Sequence, residues 1–294
     1  MSTFEIHITN SELPMSALTL LQSRTSLNNA ELKSAIAKGA LWLEKGKSVQ
    51  RLRRVKKLIN TNETLHFYYN EDVLSQAPPE AKLIDDQQSY SVWYKPYGML
   101  SQGSKWSDHC TITRWAQLHL PNERACFLVH RLDRATSGLI IIAHTKNAAR
   151  AFSKLFEQHE LTKSYHAVLA GNIDKLPFEV SVSEPVNDKH AVSHFKQLAT
   201  NIAQTLSLYE VTIETGRKHQ IRQHAKWLGS PIVGDRLYGE DSINQNYPVN
   251  LQLCAVRLAF GCPLSGQPKD YRLPKALDLS IQTAEQNAIT SNSN

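Results

Sequence analysis

None of the four cysteines, Cys110, Cys126, Cys254 and Cys262, stands in a CxxC pair. That spacing argues against a zinc ribbon, and scattered thiols suit a reducing cytoplasm. No apolar run nears the ~18 residues a spanning helix needs. The first residues, MSTFEIHITNSEL, have neither a basic start nor an apolar centre, so a secretory signal is not expected. The phosphate-binding pattern GxxxxGK followed by Ser or Thr is missing, and so is GxGxxG, which removes the usual signs of a nucleotide cofactor. HExxH is missing too. His219 and His224 are not on one helix face, so no metal site is expected. Glu184 and Asp188 are lone acids in a loop and do not supply a hydrolase's paired carboxylates. No internal repeat occurs.

What is present is ordinary in bulk. The 294 residues suggest one large domain plus a smaller one, and a hydrophobic share of 41% supports a real core. The net charge of +6 favours a polyanionic partner such as nucleic acid. A mildly basic soluble protein would show the same balance.

Residues 1–74 read as a small domain. Ser16 to Leu21 is a short helical stretch. Asn28-Asn29-Ala30-Glu31 is a capping-box start with Leu32 and Ile36 on one face and Gly39 as the stop. Leu41-Trp42-Leu43 and Leu65 to Tyr69 read as strands. Between them lie Lys45, Lys47, Arg51, Arg53, Arg54, Lys56 and Lys57, uninterrupted by an acid. The run is either a solvated face or a phosphate-contacting patch. The order helix pair, turn, strand, basic stretch resembles the small RNA-binding domain first seen in a ribosomal small-subunit protein.

Residues 75–89, with Pro78-Pro79, read as a linker. A second domain is expected over 90–283 and a disordered tail over 284–294. Tyr90 to Tyr94 is a strand turned by Lys95-Pro96-Tyr97-Gly98. Trp106 to Leu120 is loop then helix. Lys146 to Gln158 is an amphipathic helix with Ala148, Phe152, Leu155 and Phe156 on one face. Lys163–Leu169, Leu206–Glu214 and Leu251–Phe260 read as strands, and Pro231–Asp235 as an extended segment. Without a steady βαβ rhythm the expected class is α+β: a mainly antiparallel or mixed central sheet with flanking helices, plus a small N-terminal α/β domain.

The central stretch is FLVHRLDRATSGLIIIAHT, Phe127 to Thr145. Two apolar runs hold a short polar knot in which Asp133 lies between Arg131 and Arg134. Such a loop presents one reactive group rigidly. Downstream, Gly216 opens a helix on which His219, Arg222 and Lys226 share a face, while Ile221, Ala225 and Leu228 form the packed one. Arg217 and Lys218 at the helix start oppose the macrodipole and call for an anionic neighbour, either Asp133 or a phosphate.

HRLDRATSGL, together with KPYG, KSYHAVLAG and TGRKHQIRQHAKWLGSPIVGDRLYG, closely resembles the RluA family of pseudouridine synthases over about residues 90–275. One departure is Tyr94, where the family usually has Asn. The resemblance implies a pseudouridine synthase fold and isomerisation of a specific uridine in structured RNA, with ribosomal RNA as the main expectation and transfer RNA as the alternative, without metal, nucleotide or redox cofactor. It implies that Asp133 acts on the target nucleotide as nucleophile or as base at the sugar, and that Arg222 pairs with Asp133 and keeps it ionised. Tyr165 would stack on the base, Ile221 would floor it, and Arg131 would fill the gap left by the flipped nucleotide. Arg134, Arg217 and His219 are expected to contact substrate. Apart from the resemblance, Tyr165 reads as a core tyrosine with its hydroxyl satisfied. The expected protein is a cytoplasmic monomer with RNA as its partner and no membrane contact. The rival readings are a non-catalytic RNA-binding protein and a nuclease or glycosidase using Asp133. The last would need a metal cluster or a second carboxylate.

Overall fold

A computed structural model describes residues 2–171, 176–203 and 205–282. The expected disordered tail lies outside the described residues. The chain forms two compact units, Met1–Pro78 with Gln102–Trp115, and Pro79–Ser101 with Ala116–Asn294.

The first unit contains β1 (Thr3–Thr9), β2 (Met15–Ser16), α1 (Ala17–Gln22), α2 (Asn29–Ala37), β3 (Leu41–Lys45), β4 (Ser48–Arg51), β5 (Leu58–Ile59), β6 (Thr64–Asn70) and α3 (Glu71–Ser75). The capping box is formed: Asn28 accepts from Ala30 and Glu31, and the Glu31 carboxylate accepts from the Asn28 N–H. The sheet runs β1-β6-β3-β4, all antiparallel. Alternation puts Phe4, Ile6, Ile8, Leu41, Leu43, Leu65 and Phe67 against α1 and α2. The basic run divides. Arg51 and Arg53 are partly buried and both bind Asp108, brought in by the 102–115 segment. Arg51 also donates to Ser104 O at 2.7 Å, and Arg53 to Ala37 O at 2.7 Å. These two arginines hold the unit together, while Lys47, Arg54 and Lys56 stay exposed.

The second unit begins with β7 (Lys82–Asp86) and β8 (Tyr90–Lys95). The expected linker is therefore partly an edge strand. Its Lys82, Leu83, Asp85 and Asp86 pair with β8, a register no apolar periodicity announces. Helix α4 (Ile112–His119) carries the chain across the division between units. There follow β9 (Phe127–Leu128), β10 (Ser137–Ala143), α5 (Lys146–Glu157), β11 (Leu161–Ala170), β12 (Glu179–Val182), β13 (Ser193–Thr200), β14 (Leu206–Ile213), α6 (Gln220–Trp227), α7 (Asp241–Asn246), β15 (Leu253–Gly261) and β16 (Pro268–Arg272).

The strands form one mixed sheet in the order β12-β13-β14-β11-β15-β10-β8-β7, with β16 also on β15 and β9 on β10. Among the described residues only β10 and β15 pair in parallel, so the expected α+β class with a mainly antiparallel sheet holds. Strand β10 is buried along its whole length, which explains its unbroken apolar sequence. At its start Gly138 has φ +116°, and a Cβ there would lie 2.3 Å from the backbone N and O of Ala255. Only glycine lets the two backbones approach so closely. Helix α5 packs Ala148, Phe152 and Leu155 onto Tyr90, Leu139, Ile141 and Phe260. A separate cluster joins β11, β13, β14 and α6 through Ala167, Leu169, Phe195, Val211, Ile221 and Ala225. Pro231–Asp235 is not a strand: Ile232 makes an isolated bridge to Leu169, and the chain then turns. No described helix is long and apolar enough to cross a membrane.

Candidate active site

Asp133 lies on the loop between β9 and β10, and the loop is fixed on both sides of it. Leu132 is buried, with its N–H and C=O both bound to the Ser101 hydroxyl, at 3.0 and 2.6 Å. Thr136 N–H closes a turn onto Asp133 O at 3.1 Å, and Gly98 N–H donates to Arg134 O at 2.8 Å. At the entrance His130 stacks on Phe156, 4.2 Å between ring centres, and its Nε2 accepts from Ile141 N–H at 2.9 Å. Burial drives the His130 pKa down to about 3, so the ring is neutral and acts as an acceptor. The Asp133 side chain remains 32% exposed.

Helix α6 begins at Gln220, later than Gly216 suggested, because residues 215–219 are tied down by the Gln220 side chain. Its Oε1 accepts from Thr215 Oγ1 and Arg217 N–H, and its Nε2 donates to Val192 O and Ser193 Oγ. His219 sits at the helix N-cap in the left-handed region, φ 59° and ψ 23°. A non-glycine residue there is strained, and such strain gathers at functional sites. The conformation turns the His219 ring toward Asp133, with Nε2 3.7 Å from Oδ2. The other nitrogen, Nδ1, is 3.0 Å from Tyr238 Oη. With Nε2–H facing the carboxylate, Nδ1 accepts from the Tyr238 hydroxyl. Burial lowers the His219 pKa despite the opposing pull of Asp133.

The expected pairing of Arg222 with Asp133 is not what forms. Arg222 donates Nε and Nη2 to Asp235 Oδ2 and Oδ1, at 2.7 and 2.6 Å, with both side chains almost fully buried. Asp235 Oδ1 also accepts from Leu237 and Tyr238 N–H, each at 3.0 Å. Burial opposes the charge on Asp235, but these donors outweigh it and keep its pKa below the usual value. Arg222 is thus sunk in the protein while Lys226 on the same face stays exposed, and the bidentate fork goes to the acid supplied by the following turn. Asp133 still stabilises the Arg222 charge from farther off. The Arg222 guanidinium lies 5.1 Å from the Tyr238 ring centre, so Asp235, Arg222, Tyr238 and His219 form one chain behind Asp133.

Tyr165 on β11 and Ile221 on α6 join one apolar cluster with Ala135, two residues past Asp133. Burial, and then the Asp133 charge, push the Tyr165 pKa upward, so the phenol is neutral near Asp133. The core-tyrosine reading expects a satisfied hydroxyl, and among the described residues Tyr165 has no protein hydrogen-bond partner of that kind. Arg131 and Arg134 are exposed, and Arg134 donates Nε to Gly98 O at 3.3 Å. Arg217 donates Nε to His190 O at 3.0 Å. His224 is a core histidine bound to Ser193 Oγ and Glu184 O, apart from Asp133.

The sequence reading missed three members of the site. Lys95 is fully buried with Nζ on Met99 O at 2.9 Å and Pro96 O at 3.2 Å. Burial takes its pKa down to about 7 against the opposing attraction of Asp133. A lysine closing the apolar run YSVWYK was the available signal. Asp235 and Tyr238, both in the GDRLYG stretch, carried no signal beyond their place in a matched block. Among the described residues no three His, Cys, Asp or Glu side chains are grouped as metal ligands.

The mixed sheet carries Asp133 on a loop fixed at both ends, and comparison with known proteins gives the class. A sequence model of the RNA pseudouridylate synthase family matches residues 89–227. A tRNA pseudouridine synthase C of Haemophilus ducreyi is 36% identical over 174 residues, 52% of this chain and 70% of that protein. Its counterpart from Pectobacterium carotovorum is 34% identical over 169 residues, 48% of this chain but only 45% of that protein. The human RNA pseudouridylate synthase domain containing 1 shares the fold, with a TM-score of 0.58 at 22% identity, covering 73% of this chain and 98% of that one. The chain belongs to the RNA pseudouridylate synthase family.

Proposed function

We propose that the protein isomerises uridine in RNA to pseudouridine, with Asp133 as the group that acts on the target nucleotide. In that reaction the bond from C1′ to N1 breaks, the base turns, and a bond from C1′ to C5 forms. The C5 proton leaves and N1 gains one, so no water is consumed. The observation that carries the reading is the convergence on Asp133 of a neutral phenol, an apolar floor and an imidazole.

Each part has a role in that chemistry. The fixed loop holds Asp133 at one place beside the sugar, as nucleophile or as base. Tyr165 and Ile221 bracket the pyrimidine, which must leave its stack at a cost of a few kcal/mol. Exposed Arg131 and Arg134 flank the acid and face phosphates or the vacated stack. His219 orients Asp133, and Arg222 acts from behind through Tyr238 and Asp235 rather than by direct pairing.

The names of the relatives favour transfer RNA as the substrate. Ribosomal RNA is the second reading, supported by the exposed basic residues Lys47, Arg54 and Lys56 of the first unit. Tritium release from transfer RNA and ribosomal RNA transcribed with 5-tritiated uridine tests both. Release from transfer RNA is expected. Release from ribosomal RNA alone would favour the second reading, and release from neither would end the proposal.

A further inference from the structure

Lys163 lies on β11 two residues before Tyr165, so both side chains leave the same face of the strand, about 7 Å apart along it. It is 9% exposed, yet among the described residues its ammonium has no hydrogen bond and no ion pair. Its position is marked from two sides. A Cβ on Gly216 would lie 3.5 Å from Lys163 Nζ, which places the ammonium under the loop that carries His219. Its charge also disfavours protonation of His130, the residue that opens the Asp133 loop. With glycine at 216, no side chain of that residue covers the ammonium.

Most of the Lys163 side chain is buried and no acid answers it, while its ammonium keeps contact with solvent and is open to an anion from outside the chain. Lysine stems bury while their heads stay wet, and here the wet head lies beside Gly216, just before the segment that carries His219. Burial pushes the Lys163 pKa down and no acid raises it again. Arg131 and Lys218, on the same two loops, are exposed cations. The anion that belongs here is one that arrives with the substrate.

Resting on the reading above, we propose that Lys163 is the anchor for a phosphate of the target nucleotide, its ammonium meeting that phosphate beside Gly216 while the base lies against Tyr165. The span along β11 from Tyr165 to Lys163 is comparable with that from a pyrimidine ring to its own phosphate. The site would take a phosphodiester oxygen as a charge-assisted acceptor. It would thereby fix the sugar over Asp133.

Lys163→Met separates this from a packing role, because the two make opposite claims. Binding of a fluorescent oligouridylate is followed by anisotropy across a salt series, with the melting temperature measured beside it. For a phosphate anchor the variant melts at the same temperature as the wild type or higher, since an unpaired buried charge has gone. Its salt slope is shallower by roughly 0.7, the share of one phosphate on a single strand. An oligomer with methylphosphonate linkages shows no difference between the two proteins. An unchanged slope overturns the proposal, and so does a fall in melting temperature, which would mean that the ammonium has its counterpart within the protein. Tritium release by the wild type is scored separately. A changed slope with an inactive wild type leaves the anion site standing and removes the isomerase reading.

Discussion

Replacing Asp235 with Asn, an isosteric change that removes one charge, would leave the Arg222 guanidinium buried without its acid. The side chains are 5% and 0% exposed, so water cannot take the place of the lost partner. Breaking a buried pair from one side costs about 3–5 kcal/mol. Arg222→Met should cost less, about 2–3 kcal/mol, because the Leu237 and Tyr238 N–H groups still serve the carboxylate. The double variant should lose about 2–3 kcal/mol less than the sum of the singles, since neither charge is then stranded. Urea unfolding at pH 7 reads all four proteins. The pH dependence is also fixed in sign. Asp235 titrates lower in the folded protein than in the unfolded chain. Its stabilisation is fully present above the unfolded value of about 3.9 and fades as pH falls through the lower folded value. The gap between wild type and Asp235→Asn should therefore stay level from about pH 5 to 8 and close only in strong acid. Additive losses within about 0.5 kcal/mol would refute the pairing. Coupling of Arg222 to Asp133 instead would restore the partnership that the motif alone suggested.

Tyr238→Phe removes only the hydroxyl that fixes the His219 tautomer. Single-turnover isomerisation should slow by roughly ten-fold while RNA affinity holds, and an unaltered rate would deny the hydroxyl any part. Lys95 titrates near 7 when folded and at 10.5 in the free amino acid side chain, so the unfolded chain binds more protons between those values. Its contribution to stability should rise with pH across that window by up to ~1.4 kcal/mol per unit. Lys95→Met should lack this slope in urea titrations from pH 7 to 10, and equal slopes would contradict the assigned burial. Neutralising Arg54 and Lys56 together should flatten the salt dependence of RNA binding by about 1–2 without moving the melting temperature. Arg53→Ala should instead cost about 1–3 kcal/mol of stability, through loss of Asp108 and Ala37 O. A reversed pattern would return Arg53 to the RNA-binding face.

Much of the architecture follows from local patterns. The capping box at Asn28, the apolar stripe of α5 and the uninterrupted run of β10 each read out one dominant force, and each forms as its pattern requires. The elements that gave no warning are held by partners far along the chain. Strand β7 exists because β8 offers it an edge, and Arg51 and Arg53 lose their solvated character because Asp108 is delivered from another segment. The same limit governs the site. Asp133 is conspicuous because its own loop is framed by two buried runs. Arg222 binds Asp235 and not the Asp133 that the family resemblance implies, because the acid comes from the turn that follows its own helix. His219 comes within reach of Asp133 from a left-handed backbone conformation that no neighbouring glycine announces. Lys95 needed only the observation that a charge closes a strand buried on both sides.

The most direct test compares wild-type protein with Asp133→Asn on transfer RNA transcripts, reading pseudouridine by carbodiimide adducts that stop reverse transcription. The wild type should place a new stop at a uridine, and the variant should bind the same RNA with similar affinity and leave no stop. A stop of equal strength with the variant, or none with the wild type on any transfer or ribosomal transcript, would contradict the assignment of uridine isomerisation to Asp133.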